Sequence, residues 1–180
     1  MKTKDITLLA IDDSEADQLL ITRAFRLNGV TCIINWASSG TEAIAYLKGE
    51  GKFSDRSQFP YPTFIMTDLK MPHGDGFSVL QHLKSTPEWA VIPTIVFSAS
   101  ADLDDIKRSY MLGAGSYLVK PGDFTEMRRV LKVFYDYWLE CETPETDESG
   151  KRVETESKGK LGERFVNQGD NELVERHGID

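Results

Sequence analysis

Short, continuous apolar runs alternate with longer segments of helical spacing from residue 6 to about residue 140, and few architectures accept that pattern. The run Ile6 to Ile11 reads as a buried strand. Ala16, Leu19, Leu20, Ala24 and Leu27 then mark one helical face, which Asn28-Gly29 ends. Thr31 to Trp36 is the second strand, and Thr41 to Lys48, with Ala43, Ile44 and Leu47 inward, the second helix. A Gly-, Ser- and Pro-rich loop from Gly49 to Pro62 leads to a third strand, Thr63 to Thr67. The remaining pairs are Gly76 to Lys84 (helix) and Pro93 to Ser98 (strand), Asp102 to Leu112 (helix) and Ser116 to Val119 (strand), and a last helix from Asp123 to Leu139. Five strands rich in Ile, Leu and Val, each followed by a helix, predict an α/β fold: (βα)5, doubly wound, with a parallel sheet covered on both faces.

Charged residues stand just beyond the ends of these strands. Asp12-Asp13 follow the first, Asp68 follows the third and Lys120 follows the fifth. In an open parallel sheet these ends emerge on one edge, so residues distant in sequence meet in a single crevice. Three carboxylates with one ammonium suit a hard divalent cation and a phosphoryl group. Each residue alone has a plainer reading. Asp12-Asp13 before Ser14 can cap a helix, and Asp68 can open a turn, as Asp75-Gly76 can nearby. Lys120-Pro121 can be a solvated loop end, and Tyr117 a half-buried strand residue. Their joint occurrence favours the site, because clustered carboxylates raise one another's pKa and destabilise a fold that has no cation to use them.

Composition narrows the function classes. A formal charge of −8 over 180 residues argues against a general nucleic-acid binder, whose partner demands a basic face. The N-terminal apolar stretch meets two aspartates after six residues, too soon for a signal peptide or a membrane span, so a cytoplasmic location is expected. Cys32 and Cys141 show no metal or redox spacing, and neither do His73, His82 and His177. Trp36, Trp89 and Trp138 read as packing residues. The stretch 141–180 differs in kind from residues 1–140: its 11 acidic and 6 basic residues supply −5 of the net charge, and its apolar residues lack sustained period. A disordered acidic tail is expected, with a partner-binding segment around Leu161 to Val174 as the alternative.

Four motifs in order carry a family resemblance: Asp12-Asp13; Thr67-Asp68-Leu69-Lys70-Met71-Pro72 through Gly76; Ser98-Ala99-Ser100; and Gly113-Ala114-Gly115-Ser116-Tyr117-Leu118-Val119-Lys120-Pro121. From Ile6 to Leu139 the chain resembles a response-regulator receiver domain of the chemotaxis-receiver type, whose flavodoxin-like sheet runs in the order 2-1-3-4-5. Arg108-Ser109-Tyr110 and the ending Phe134-Tyr135-Asp136-Tyr137-Trp138-Leu139 are similar to the small response regulators partnered with phytochrome-like histidine kinases.

The resemblance implies a role for each matching residue. Asp68 would be the phosphoacceptor, taking a phosphoryl group from a kinase phosphohistidine. Asp13, Asp68 and the Lys70 backbone carbonyl would hold Mg²⁺ directly, and Asp12 would hold it through water. Lys120 would pair with Asp68 and then with the phosphoryl group, and Pro121 would follow a cis peptide bond. Ser98 and Tyr117 would form the switch pair, the hydroxyl turning to the phosphoryl group while the ring swings in from an exposed position. Lys70 and Ser100 match positions that tune the lifetime of the acyl phosphate. The implied protein is a single-domain response regulator of a two-component pathway, with no enzymatic output, acting by protein contact or as a phosphorelay intermediate.

The last helix carries a wider apolar arc than one core-facing stripe needs, which suggests a homodimer through the fourth helix, fifth strand and fifth helix. Three other readings stand beside this one. An FMN binder of the same architecture would want a glycine- and hydroxyl-rich cradle where Asp12-Asp13-Ser14-Glu15 stands. An Asp-dependent phosphohydrolase wants two acids flanking a spacer, and here the two are adjacent. A pseudo-receiver binding module would have no use for the intact acidic cluster.

Overall fold

The computed structural model describes residues 6–72 and 75–142. The expectations for residues 143–180, including the acidic tail and the Leu161 to Val174 alternative, lie outside the described residues, as do His73 and His177. Five strands, β1 (Thr7–Ile11), β2 (Ile33–Ala37), β3 (Phe64–Thr67), β4 (Thr94–Ser98) and β5 (Ser116–Val119), alternate with five helices, α1 (Glu15–Leu27), α2 (Gly40–Lys48), α3 (Gly76–Ser85), α4 (Leu103–Met111) and α5 (Phe124–Glu140). All strand pairs are parallel, in the order β2-β1-β3-β4-β5.

The two faces of the sheet follow from strand pleat, since successive side chains point to opposite sides. Leu8 and Ala10 of β1, Phe64 and Met66 of β3, and Ile95 and Phe97 of β4 pack against α1 and α5 through Ile21, Ala24, Phe25, Met127, Leu131 and Phe134. The alternate residues Leu9, Ile11 and Ile65 pack on the opposite side with Ala43, Tyr46 and Leu47 of α2 and Val79 and Leu83 of α3. Strands buried on both faces explain why they read as unbroken apolar runs. Trp138 stacks on Phe64 at 5.8 Å, and the Trp89 indole donates to the Tyr61 hydroxyl at 2.9 Å, so both tryptophans serve packing.

Each of these five α-helices starts on a side-chain cap. Ser14, Ser39, Asp75, Asp102 and Asp123 each accept a backbone N–H from the first turn. The cap of α1 is thus Ser14, which leaves Asp12 free for other work. At the far end of α2, Gly49 takes the left-handed conformation (φ 69°) that stops the helix. The following loop is less irregular than its composition suggests, because Gly51–Phe53 forms a 3-10 turn that seats Phe53 in the core. Strand β2 begins at Ile33, so Cys32 lies just before it rather than in it. No helix among the described residues is long and apolar enough to cross a membrane.

Phe64 is 1% exposed and sits between Phe134, edge-on at 5.6 Å, and Trp138. Phe64→Ala should cost about 3–5 kcal/mol of stability, the range for emptying a core aromatic site. The check is a lowered urea midpoint at an unchanged denaturant slope.

Candidate acidic site at the sheet edge

Strand register brings the charged residues together. Ile11 of β1 is paired with Thr67 of β3, so the residues that follow them, Asp12 and Asp68, leave the sheet side by side. Two backbone bonds fix these positions beyond the strands: Asp12 N–H to the Ala37 carbonyl (3.0 Å) and Asp68 N–H to the Ile11 carbonyl (2.9 Å). Ser98 pairs with Val119, and the next residue, Lys120, donates its N–H to the Ser98 carbonyl at 2.8 Å. Its side chain then runs across the edge towards β1 and β3.

The Lys120 ammonium, 6% exposed, is the centre of the site. It donates to Oδ2 of Asp12 (2.7 Å), of Asp17 (2.7 Å) and of Asp68 (2.8 Å). An ammonium has three hydrogens, and all three are committed here. Asp12 is 3% exposed and is further tied by the Ser14 N–H (2.9 Å) on Oδ1, while its carbonyl accepts the Gln18 amide (2.7 Å). Asp68 accepts the Leu69 N–H on Oδ1 at 2.6 Å, with the Lys70 N–H at 3.4 Å. Trp36 and Phe97 pack beside Asp12 and Asp68.

The electrostatics of the two aspartates differ. Burial raises the Asp12 carboxyl above its ordinary value; the Lys120 bond and charge oppose this, and the Asp68 charge adds to the rise. Burial pushes Asp68 the same way, but the Lys120 bond, the Ser98 hydroxyl, the Lys120 charge and the Leu69 N–H together hold it below its ordinary value. Asp68 therefore stays an anion at neutral pH. Burial lowers the Lys120 ammonium pKa, and its bonds to the three carboxylates more than reverse that, so it stays charged.

Not every expected residue joins the cluster. Asp12, Asp68 and Lys120 converge as the strand-end pattern predicts, whereas Asp13 is exposed and its carboxylate stands outside the group. Asp17, from the first turn of α1, takes the third place, with ligand oxygens of Asp12, Asp17 and Asp68 within 4.8 Å of one another. Sequence reasoning passed it over because Ser14-Glu15-Ala16-Asp17 looks like an ordinary helix start, and its backbone N–H does satisfy the Ser14 cap at 3.2 Å. The peptide bond before Pro121 is trans, as are all described bonds, which corrects the cis expectation; the trans form is the lower in energy for an X–Pro bond by about 0.5–1 kcal/mol.

The expected switch residues sit directly behind Asp68. The buried Ser98 hydroxyl faces Asp68 on one side and Tyr117 on the other, and accepts the Ser100 N–H at 3.4 Å. Tyr117 is half-buried, and its hydroxyl donates to the Ser100 carbonyl at 2.8 Å, so its ring already lies against the β4–α4 loop instead of starting from an exposed position. The Tyr110 hydroxyl accepts the Tyr117 N–H at 3.2 Å. Above the site, Lys70 meets Asp105 of α4 at 3.4 Å, and the Ser100 hydroxyl donates to the same carboxylate at 2.6 Å. Beneath it, the glycine at 76 is required: a Cβ there would lie 2.1 Å from the Asp68 carbonyl oxygen, so any side chain would push the Asp68 loop off α3.

Three carboxylates around one ammonium leave a formal charge of −2, which oxygen-seeking divalent cations neutralise. Without a metal, ionised Asp12 is a burden on the fold. Its pKa is raised by folding, so its contribution to stability is most favourable below the ordinary carboxylate value and is lost as pH rises through the folded value. Asp12→Asn should therefore raise the melting temperature in metal-free buffer at pH 7, and the gain should shrink as pH falls below about 4, where the wild-type carboxyl is itself neutral. Thermal melts of both proteins between pH 3 and 7 provide the check.

Comparisons with known proteins agree with this geometry. The family model described as response regulator receiver domain matches residues 8–132. The protein named "Probable methanogenesis regulatory protein FilR2", of Methanothrix harundinacea (strain 6Ac), is 33% identical over 135 residues, spanning 73% of this chain and 83% of that protein. Response regulator Rcp1 of Synechocystis sp. (strain ATCC 27184 / PCC 6803 / Kazusa) is 29% identical over 136 residues, 76% of this chain and 90% of Rcp1. A Mn²⁺-bound structure of response regulator Rcp1 superposes with a TM-score of 0.70 at 28% identity, covering 78% of this chain and 99% of that one. The phosphorylated cyanobacterial phytochrome response regulator RcpA gives a TM-score of 0.72 at 32% identity, with the same coverage. With its 2-1-3-4-5 sheet and its acidic edge, this chain belongs to the response regulator receiver family of two-component signalling proteins.

Proposed function

We propose that Asp68 accepts a phosphoryl group from the phosphohistidine of a sensor histidine kinase, and that the change is passed on through the face made by α4, β5 and α5. The carrying observation is the Lys120 ammonium held between Asp68 and Asp12, 6% exposed and fully hydrogen-bonded. In the transfer, an Asp68 oxygen attacks phosphorus, the P–O bond forms, the P–N bond breaks, and its electron pair returns to the imidazole, which takes up a proton. Both reactants are anionic, so the barrier is set by charge neutralisation. Lys120 supplies one fixed positive charge. Mg²⁺, which Asp13, Asp68 and the Lys70 carbonyl would hold directly and Asp12 through water, would supply further positive charge to the phosphoryl oxygens. The chain is on this reading a stoichiometric phosphoacceptor rather than an enzyme, working in the cytoplasm without nucleic acid or membrane as partner. Likeness to RcpA supports a phytochrome-like kinase as donor.

Readout to the surface follows the observed bonds. A phosphoryl oxygen on Asp68 competes for the Ser98 hydroxyl, whose partners reach Ser100 and Tyr117 and so touch α4 and β5. Coupling of this kind is worth about 1–3 kcal/mol. The decisive experiment is phosphotransfer from purified candidate histidine kinases. Label should appear on the wild-type chain in Mg²⁺, vanish with chelator, and be absent from Asp68→Asn; label on Asp68→Asn would reject Asp68 as acceptor.

The same face supports a homodimer. Between β5 and α5 lies an open groove of about 470 Å³ lined by Leu118, Val130, Val133, Phe134, Tyr137 and Trp138. Val133 is 57% and Tyr137 63% exposed, apolar surface of the kind that marks an interface. Sedimentation equilibrium should show a dimer that Tyr137→Glu disrupts; a monomer with and without a phosphoryl mimic would remove the dimer from the proposal.

A further inference from the structure

Lys70 stands two residues after Asp68, yet its ammonium pairs elsewhere. Its N–H lies 3.4 Å from Asp68 Oδ1, while its side chain runs to α4, where Nζ stands 3.4 Å from Oδ2 of Asp105. We propose that Asp105 is a positioning residue that holds the Lys70 ammonium off the Asp68 carboxylate, and so restrains the uptake of phosphoryl groups from small anionic donors. This rests on the reading of Asp68 as the phosphoacceptor.

The two oxygens of Asp68 are served by different groups. Oδ2 takes the buried Lys120 ammonium at 2.8 Å, and Oδ1 takes the Leu69 N–H at 2.6 Å with the Lys70 N–H beyond it. Lys70 is thus rooted beside Oδ1, on a flexible four-carbon stem that can carry its charge back over that oxygen. Asp105 draws it the other way. This carboxylate is itself fixed, because the Ser100 hydroxyl donates to its Oδ2 at 2.6 Å, and the Ser100 N–H in turn reaches the Ser98 hydroxyl at 3.4 Å, beside Asp68. Asp68, Lys70, Asp105, Ser100 and Ser98 form a closed ring of contacts. The Ser100 bond first, then the bond and charge of Lys70, hold the Asp105 carboxyl below its ordinary value against the effect of burial, so it is an anion at neutral pH. Arg108, one turn further along α4, lies instead over the Phe77 ring at 4.1 Å, which leaves Lys70 as the cation paired with Asp105.

Uptake from a small donor brings one anion up to another. With phosphoramidate protonated on nitrogen, an Asp68 oxygen attacks phosphorus, the P–O bond forms, the P–N bond breaks, and ammonia leaves with the electron pair. Every positive charge free to meet the phosphoryl oxygens favours this step, as Lys120 does in transfer from a kinase. Asp105 occupies one such charge. Because the Lys70 side chain is 68% exposed, the pair is weak and the restraint is severalfold rather than absolute.

The test is the rate of Asp68 phosphorylation by phosphoramidate, read by intact-protein mass, with Mg²⁺ saturating for each protein and Asp68→Asn as the blank. Asp105→Asn and Asp105→Ala should each raise the second-order rate constant by about two- to fivefold, the scale of an exposed ion pair. The gain should shrink at about 1 M salt, where exposed charges are screened, which a change in packing alone would not produce. In Lys70→Met, whatever its own rate, adding Asp105→Asn should change nothing further. An equal gain in that background overturns the inference, since the carboxylate then acts without Lys70, and so does an unchanged rate in the folded single variants. A wild-type chain that takes up no phosphoryl group from either phosphoramidate or a kinase rejects the acceptor reading itself, and this inference with it. A further measurement needs no variant: in a crystal structure of the wild-type chain with beryllofluoride on Asp68, the Lys70 ammonium should remain on Asp105, and an ammonium bound to the fluorides overturns the proposal.

Discussion

One buried ammonium holds the functional edge of this protein together. Lys120, at the end of β5, binds Asp12 after β1, Asp68 after β3 and Asp17 in α1, so four separate segments converge on a single nitrogen. Bringing these charges out of water carries a desolvation penalty of several kcal/mol per ion, which the mutual attraction only partly returns. The arrangement is poor value for stability alone. The remaining formal charge of −2 makes it poorer still, and the rise in the Asp12 pKa records the cost. The two apolar layers on either side of the sheet supply the stability that makes such an edge tolerable. Site and core thus have opposite thermodynamic roles, and the sheet joins them.

The sheet joins them through register. Because Ile11 pairs with Thr67 and Ser98 with Val119, the first residues past the strands are neighbours without any special loop design. A slip of one residue would turn Leu8, Ala10 and their partners to the wrong face, so the same apolar pattern that fills the core also fixes where the charges emerge. Gly76 adds a second constraint from below. Its N–H reaches the Leu69 carbonyl at 2.9 Å, and the missing Cβ lets α3 sit directly under the Asp68 loop.

Much of this was legible in the sequence because it rests on local periodicity. The five strands and five helices, their order and the meeting of Asp12, Asp68 and Lys120 all follow from apolar runs that end in a charge. Element ends moved by one or two residues, as at β2, where Thr31 and Cys32 stand outside the pairing that begins at Ile33. Less legible were choices that depend on side-chain direction. Asp12 and Asp13 are adjacent and chemically equal, yet backbone geometry after β1 points the first inward and the second to solvent. Asp17 was hidden by a double role: its backbone satisfies the Ser14 cap, which is all a helix start predicts, while its carboxylate turns back to Lys120. The bond before Pro121 shows the same limit, since proline permits either isomer and sequence cannot choose between states so close in energy.

The bonds around Ser98 show how a chemical event at Asp68 can reach a surface without any large motion. Ser98 stands between the Asp68 carboxylate and the β4–α4 loop, Tyr117 holds that loop by the Ser100 carbonyl, and Tyr110 of α4 holds the Tyr117 backbone. Lys70 closes the circuit from the other side, from the Asp68 loop to Asp105 and so to the Ser100 hydroxyl. The links differ in strength. Lys70 is 68% exposed, and a pair so solvated contributes about 0–1 kcal/mol, whereas the buried Ser98 hydroxyl has no water to turn to when its partner changes. On the proposed function, Ser98 is therefore the link through which a phosphoryl group on Asp68 would be felt, and the exposed Lys70–Asp105 pair would contribute little to it. α4, β5 and α5 also carry Tyr110, Val119, Val133 and Tyr137 at the surface, so a shift of the β4–α4 loop would bear on apolar area next to it. On the proposed function, a change of charge at the buried edge would by this route become a change in exposed hydrophobic surface.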